Sequence, residues 1–301
     1  MKHIFAAIIL AGAAPVAALE VVPVAQNVYA LVGDLNQRSP ENLGNNATFG
    51  VVVTNSGVIL IDAGAGWQAA AEIDATLKTI TPLPVKFVIN SGGQDHRWIG
   101  NDYWQQQGAT VIASANAVAD QRRRASLEMT GLTTLVGAEG LAGTNLSYAD
   151  VEFDSTYSLT LGEITLEIRH LGQAHTPGDS FIWMPSSNVV FAGDIVYVER
   201  ILGIGEQSHS GSWIEVFEAV AALAPEMVVP GHGQPVPLSV ATAETYDYLV
   251  NLRDQMGAYI DGGGDIIGSV NVDQSAFSQL INFDGLARRN AQQVYSEMEW
   301  E

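Results

Sequence analysis

The chain contains no cysteine, which excludes disulfide bonds, thiolate metal ligands and a thiol nucleophile. It also lacks the G-x-S-x-G pattern of a serine nucleophile elbow. Basic residues are scarce, with 13 Lys and Arg against 33 Asp and Glu and a net charge of -20. Such a surface repels phosphate backbones, so we expect a small-molecule substrate and no nucleic acid. The one basic cluster, residues 122–124, is read as a solvated helix face with local salt bridges, although it could hold an anionic substrate.

Long apolar runs are also absent. The run Ile4–Leu10 follows Lys2 and precedes the small residues at 16–18, which is the pattern of a cleaved secretion signal. The run is too short to cross a bilayer, and the alternative is a buried first strand or helix. We therefore predict a signal peptide over residues 1–18, a single large domain over residues 19–301, and a periplasmic or secreted mature protein without a membrane span.

The hydrophobic pattern predicts an α/β fold. Residues Thr48–Thr54 and Val58–Asp62 flank a turn and indicate a β-hairpin, Trp67–Ile80 has helical spacing, and Val85–Asn90 is a short buried strand. The second half repeats this order of strands followed by a helix. Two such halves predict two sheets covered by helices on their outer sides, a four-layer αββα sandwich.

The segment that follows the Val85–Asn90 strand has the frame of the motif T-H-x-H-x-D-H. If Asp95 and His96 are the last two residues of this motif, its earlier histidines fall on Ser91 and Gly93. Glycine has no side chain for a metal, and serine is a poor zinc ligand. This half of a two-metal site is therefore predicted to be lost.

Three further candidate residues follow in order along the chain. His175, Asp194 and His232 each stand in a glycine-containing segment, and Asp194 and His232 each follow an apolar run. Loops at strand ends are where a rigid scaffold places functional groups, and a catalytic zinc site needs nitrogen or oxygen ligands with one position open.

In this order, these pieces resemble the metallo-β-lactamase-fold superfamily, from Val58–Gly64 through His232. The segments Gly93–Asn101, Gly193–Arg200 and the C-terminal 289–300 also resemble periplasmic quinoprotein relay system zinc metallohydrolases. The broader resemblance implies the four-layer αββα fold and a zinc site at the edge of its sheets.

The resemblance also implies roles for the individual residues. Asp95, His96 and His232 correspond to ligands of the second metal site, and Asp194 to the carboxylate that bridges the two metals. His175 corresponds to the remaining histidine of the first site. We therefore expect one zinc ion per chain, with Asp194 orienting the nucleophile and His175 transferring a proton.

Other residues near these segments have open roles. His170 is expected to be a hydrogen-bonded partner rather than a ligand, and His209 could act as a lid or a substitute ligand. Gln94 could donate a hydrogen bond to substrate, and Trp98 is expected in the core.

Two functions remain open at this point. The first is an exported hydrolase that uses one zinc-bound hydroxide to cleave an acyl, ester or amide bond. The second is a catalytically impaired periplasmic protein that binds a metal or a cofactor in a redox pathway. The loss of the histidines at positions 91 and 93 is the feature that bears on this choice. It favours metal or cofactor binding, or a narrow one-metal chemistry, over broad two-metal hydrolysis.

Overall fold

The computed structural model describes residues 19–301, and the predicted signal peptide lies outside the described residues. The first sheet has seven strands that follow one another in chain order, antiparallel from the first to the fourth and parallel from the fourth to the seventh. Its strands are β1 (Glu20–Ala25), β2 (Val28–Val32), β3 (Thr48–Thr54), β4 (Gly57–Ile61), β5 (Val85–Asn90), β6 (Thr110–Ser114) and β7 (Val151–Phe153).

The second sheet has five strands, in the order β12-β11-β10-β9-β8. Only the β11–β12 pair is parallel. Its strands are β8 (Thr156–Leu161), β9 (Ile164–Arg169), β10 (Phe181–Met184), β11 (Val189–Tyr197) and β12 (Met227–His232).

Helices cover both sheets. They are α1 (Trp67–Ile80), α2 (Asp95–Trp98), α3 (Asn101–Gln106), α4 (Ala115–Gly140), α5 (Ser210–Ala221), α6 (Leu238–Ala241), α7 (Asp247–Asp261), α8 (Ile266–Ser269) and α9 (Phe283–Met298). Helix α4 is the longest of them, and Leu132 and Val136 continue its buried face toward its end. No helix within residues 19–301 combines the length and apolarity needed to cross a bilayer.

Three apolar layers hold the sandwich together. One lies between the two sheets and includes Ile59, Ile112 and Ile182, all fully buried. The other two pack the outer face of each sheet against its helices. Burial of apolar surface on both faces of each sheet is the main favourable contribution to folding. The predicted four-layer αββα sandwich is confirmed.

The sheets meet at one edge where functional groups collect. β11 carries Asp194 within the strand, after an irregularity in its pairing with β12 at Gly193. Gly193 has a φ of 51°, and a Cβ there would overlap Ser91 Oγ. Only glycine allows β11 to pass this close to the end of β5.

Candidate metal centre

Three buried side chains converge at this edge of the sheets. His96, Asp194 and His232 each offer a ligand atom, and these atoms lie within 4.8 Å of one another. His96 Nε2 lies 3.4 Å from Asp194 Oδ2, and His232 Nε2 lies 3.2 Å from Asp194 Oδ1. They come from α2, β11 and the end of β12. Two imidazoles and one carboxylate are a donor set that suits zinc.

Arg97 lies beneath the three residues and holds the carboxylate of Asp194. Its Nε donates to Asp194 Oδ2 at 3.1 Å and its Nη2 to Asp194 Oδ1 at 2.7 Å, while Nη1 donates to Asp62 Oδ2 at 2.7 Å. Burial alone would raise the pKa of Asp194, but Arg97 and then His96 hold it well below its ordinary value. Asp194 is therefore an anion on the inner side of the centre.

The ring of His232 is oriented by a backbone carbonyl. Its Nδ1 lies 2.7 Å from Asn46 O, which can only accept, so Nδ1 carries the proton in the neutral ring. Burial lowers the pKa of His232 well below its ordinary value. The neutral ring thus turns the lone pair of Nε2 toward an anionic oxygen 3.2 Å away. Two acceptors at this distance repel each other unless a cation or a proton lies between them.

The tautomer of His96 depends on Arg38. Arg38 Nη2 donates to His96 Nδ1 at 2.8 Å, which leaves the ring proton on Nε2. Asp95 Oδ1 also lies 3.0 Å from Nδ1. In the other tautomer, Nδ1 would donate to Asp95 and Nε2 would be free to bind a metal. Nε2 is buried and has no hydrogen-bond partner among the described residues.

Asp95 does not belong to the group of three. Its Oδ1 accepts from Arg38 Nη2 at 2.5 Å and from Arg38 Nε at 3.0 Å. Burial would raise the pKa of Asp95, but the Arg38 charge lowers it below the usual range. The geometry thus differs from the predicted ligand set, because this carboxylate is turned to an arginine of the loop between β2 and β3.

His175 reaches the same cavity but stands apart from the three converging ligands. Its Nδ1 lies 3.0 Å from Gly203 O, and its ring packs edge-on against Tyr197 and Trp213. Burial lowers the pKa of His175 to about 4, so the ring is neutral near pH 7 and Nε2 is its free acceptor. Together with His96 and His232 it lines a cavity of about 250 Å³.

The positions without ligands are filled by other polar groups. Ser91 donates from its backbone N and from Oγ to the two oxygens of Asp62, at 2.7 and 2.9 Å. A Cβ on Gly92 would overlap Asp179 Oδ1, and one on Gly93 would overlap Asp120 Oδ2. The space beside Gly92 and Gly93 is therefore occupied by carboxylates.

The Asp120 and Asp179 carboxylates are themselves held in place. Asp120 is paired with Arg124, which also donates to Gly93 O at 2.9 Å. Asp179 is bonded to the backbone and hydroxyl of Thr176, and burial raises its pKa to about 8.

The other two histidines within residues 19–301 lie away from the centre. His170 is bonded to Asp179 O and Asn116, which confirms it as a hydrogen-bonded partner. His209 caps α5 by accepting from Ser212 N, beside Glu297, and it does not line the cavity. Trp98 is fully buried, as predicted. Arg123 forms the expected local salt bridge to Asp120.

Three charged residues at this edge are not among the predicted site residues. Asp62, Arg97 and Arg38 interact with residues 29 to 97 positions away in the chain. The sequence contains one indication of the buried role of Arg97, because this charged residue directly precedes the apolar pair Trp98 and Ile99. A charge in such a setting is buried only when it is paired.

Comparison with known proteins agrees with this architecture. The family pattern described as the metallo-beta-lactamase superfamily matches residues 44–232. This is more than half of the chain, and the chain belongs to that superfamily. Membership suggests a metal-dependent hydrolase.

Individual relatives are distant. The type 2 metallo-beta-lactamase of Bacteroides fragilis is 28% identical over 85 residues, which cover 27% of this chain and 34% of that protein. The alignment thus spans about a third of the relative's length. Among solved structures, the metallo-beta-lactamase of Pontibacter korlensis has a TM-score of 0.63 at 21% identity, covering 77% of this chain and 99% of that one. The DIM-1 metallo-beta-lactamase has a TM-score of 0.61 at 15% identity, covering 79% and 99%. At these identities the likeness shows the fold.

Proposed function

We propose that this protein is a hydrolase that depends on one divalent ion, most simply zinc, held by His96, Asp194 and His232. The observation that carries the proposal is the pair formed by His232 Nε2 and Asp194 Oδ1, 3.2 Å apart in a buried site, where burial favours the neutral ring and leaves two facing acceptors. A cation between them relieves their repulsion, and Asn46 already fixes the ring for that task.

A shift of the motif by one residue explains this ligand set. The two adjacent residues that contact Asp194 are His96 and Arg97, rather than Asp95 and His96. If the motif begins at Ser91, the carboxylate position falls on His96 and the last histidine position on Arg97. The two earlier histidine positions then fall on Gly92 and Gln94.

Gln94 supports the shifted frame. It lines the same cavity as His175, and its Oε1 is buried without a partner among the described residues. A buried acceptor in that state favours a ligand or substrate donor. Gln94 and His175 would then be what remains of the first metal position.

The side chains of this chain have distinct tasks in the proposed reaction. A bound divalent ion supplies Lewis acidity and lowers the pKa of water. Asp194, held by Arg97, orients the nucleophile toward an acyl, ester or amide carbonyl. His175 is neutral near pH 7, so Nε2 can accept a proton and return it to the leaving group.

The location and subfamily are part of this proposal. The segment 1–18 supports export to the periplasm, and the C-terminal segment near Arg289 supports a relationship to the quinoprotein relay system metallohydrolases.

A second candidate function is a metal- or cofactor-binding protein without hydrolytic activity. It is favoured by the two guanidinium groups of Arg97 and Arg38, which already neutralise Asp194 and Asp95 and engage His96. Each arginine competes with a metal ion for its ligands. A weakened metal site would retain binding but lose catalytic turnover.

Hydrolysis assays with and without a chelator test the proposal. Lactam, thioester and lactone substrates would be assayed with the mature chain, after chelation, and after zinc is added back. We expect hydrolysis of at least one class that chelation removes and zinc restores. Activity that survives complete metal removal would contradict the mechanism, and no chelator-sensitive activity on any class would favour the binding protein.

A further inference from the structure

The cavity beside the metal centre is positively charged in a strongly negative protein. Three arginines line it, Arg38, Arg200 and Arg289, and no carboxylate is among its lining residues. The whole chain carries a net charge of -20. Arginines gathered at one concave site of such a protein are a specific feature rather than a consequence of composition.

The three arginines are not equivalent. Arg38 is neutralised by Asp95. Arg200 and Arg289 have no carboxylate of the described residues within 4.0 Å. Two positive charges in the cavity are therefore available to a ligand.

Arg200, more directly than Arg289, indicates that a hydrogen-bond acceptor is missing from the cavity. Its Nε and Nη1 are buried, and neither has a hydrogen-bond partner in the described part of the chain. Burial lowers its pKa, which shows how poorly this charge is solvated. Buried guanidinium donors are normally satisfied, so two donors without a partner indicate a site that is short of an acceptor. Arg200 lines the cavity, where an anionic oxygen such as that of a carboxylate would pair with its charge.

The two arginines are held on one connected piece of structure. Asn290, fully buried on α9, accepts from Ile204 N at 2.9 Å and donates to Leu202 O at 2.8 Å. A backbone bridge also joins Arg200 to Ile281, just before α9 begins. Helix α9 thus fixes the loop that carries Arg200 and adds Arg289 from outside the matched region 44–232.

We infer that this cavity binds a small molecule with two carboxylate groups through Arg200 and Arg289. The inference rests on the proposed function in one respect, since it makes a dicarboxylate the substrate class of the hydrolase. Arg200 would satisfy one carboxylate, and Arg289 at the rim would select molecules that carry a second.

The test is a binding measurement that needs no catalysis. Calorimetric titration of the chelator-treated mature protein would use malonate, succinate and glutarate, with acetate and inorganic phosphate at matched ionic strength. We expect at least one dicarboxylate to bind tenfold or more tightly than acetate. Binding by phosphate alone, binding of acetate equal to that of all three dicarboxylates, or no binding of any anion would overturn the inference.

Matched variants distinguish a specific dicarboxylate site from nonspecific attraction of anions to positive charge. Arg289→Ala and Arg200→Gln should each weaken dicarboxylate binding tenfold or more. Arg288→Ala is the control, because Arg288 is the exposed neighbour on α9 and does not line the cavity. Equal losses in Arg288→Ala and Arg289→Ala would overturn the inference. Arg200→Lys, which keeps the charge but not the fork, replaces Arg200→Gln if that variant does not fold, and it should also lose affinity.

The two proposals can fail separately. Dicarboxylate binding with this variant pattern, but no chelator-sensitive hydrolysis, would retain the anion site and reject the hydrolase. Chelator-sensitive hydrolysis of neutral substrates without dicarboxylate binding would do the reverse.

Discussion

The two metal positions expected for this fold differ in how many ligand residues this chain retains. In one half, His96, Asp194 and His232 still converge with atoms suited to a metal. In the other, His175 remains while Gly92 and Gly93 face the carboxylates of Asp179 and Asp120. Around Gly92 and Gly93 this half is filled by hydrogen-bonded carboxylates, while Gln94 and His175 still line the cavity. A site that loses ligands must satisfy or neutralise the buried groups that remain.

The difference between the halves also explains the arginines. Arg97 holds Asp194 and Asp62 from below, in the way that a second cation would. Substitutions can test whether His96, Asp194 and His232 form a metal site, and whether the neighbouring position around His175 can still bind a second ion.

The largest effect is expected from His232→Ala. It removes an imidazole ligand from a set of three, so metal affinity should fall by more than the roughly 10–100-fold that the loss of an outer hydrogen-bonding partner costs. Calorimetric titration with zinc would measure it. His170→Ala is the control, because His170 bonds to Asp179 O and Asn116, away from the three ligands. Similar affinities in the two variants would refute the ligand set.

Arg97→Ala should be the most destabilising change at the centre. It leaves Asp62 and Asp194 buried without their cation, a change that costs about 3–5 kcal/mol of unfolding free energy. Chemical denaturation would measure the loss. Arg123→Ala is the control, since the Arg123 side chain is 63% exposed and its salt bridge is worth less than about 1 kcal/mol. An Arg97 variant as stable as this control would show that the pairing does not hold the site together.

Arg38→Ala should strengthen metal binding, by about tenfold if one hydrogen bond to the ring sets the tautomer. Without Arg38, His96 Nδ1 can donate to Asp95 and Nε2 becomes a free ligand. The zinc titration should therefore show a lower Kd for the variant than for the unaltered chain. A higher Kd would mean that Arg38 supports the metal site instead of competing with it.

The smallest effect is expected from Ser91→His combined with Gly93→His, which should not add a second ion. The histidine at 91 would lose the hydrogen bond from Ser91 Oγ to Asp62, and a side chain at 93 would meet Asp120. Neither Gly92 nor Gly93 has a positive φ, so side-chain space rather than backbone conformation closes these positions. Two zinc ions bound to this variant would show that the loop is still open to histidine.

Local patterns in the sequence were sufficient for much of the fold. The helical spacing at Trp67–Ile80 and the β-branched run at Val85–Asn90 both have the bounds seen in the structure. The helix is indicated by apolar residues at helical spacing and the strand by a short apolar run, and both signals lie among neighbouring residues.

The site could be predicted only in part. His96, Asp194 and His232 were identified because each follows an apolar run in a motif with glycine, and His175 because of its glycine-containing segment. Whether Asp95 or Arg97 accompanies His96 depends on the turn into α2 and on partners such as Arg38, 57 residues away. Pairings over that distance leave no periodic signal in a single sequence.

Metal analysis of the purified mature chain tests the central claim most directly. After loading with excess zinc and removal of the unbound metal, elemental analysis would count the ions that remain per chain. The account predicts one ion in the unaltered protein and none in His232→Ala. Two tightly held ions would contradict the conclusion that the position around His175 no longer binds a metal. No ion at all would contradict the site formed by His96, Asp194 and His232.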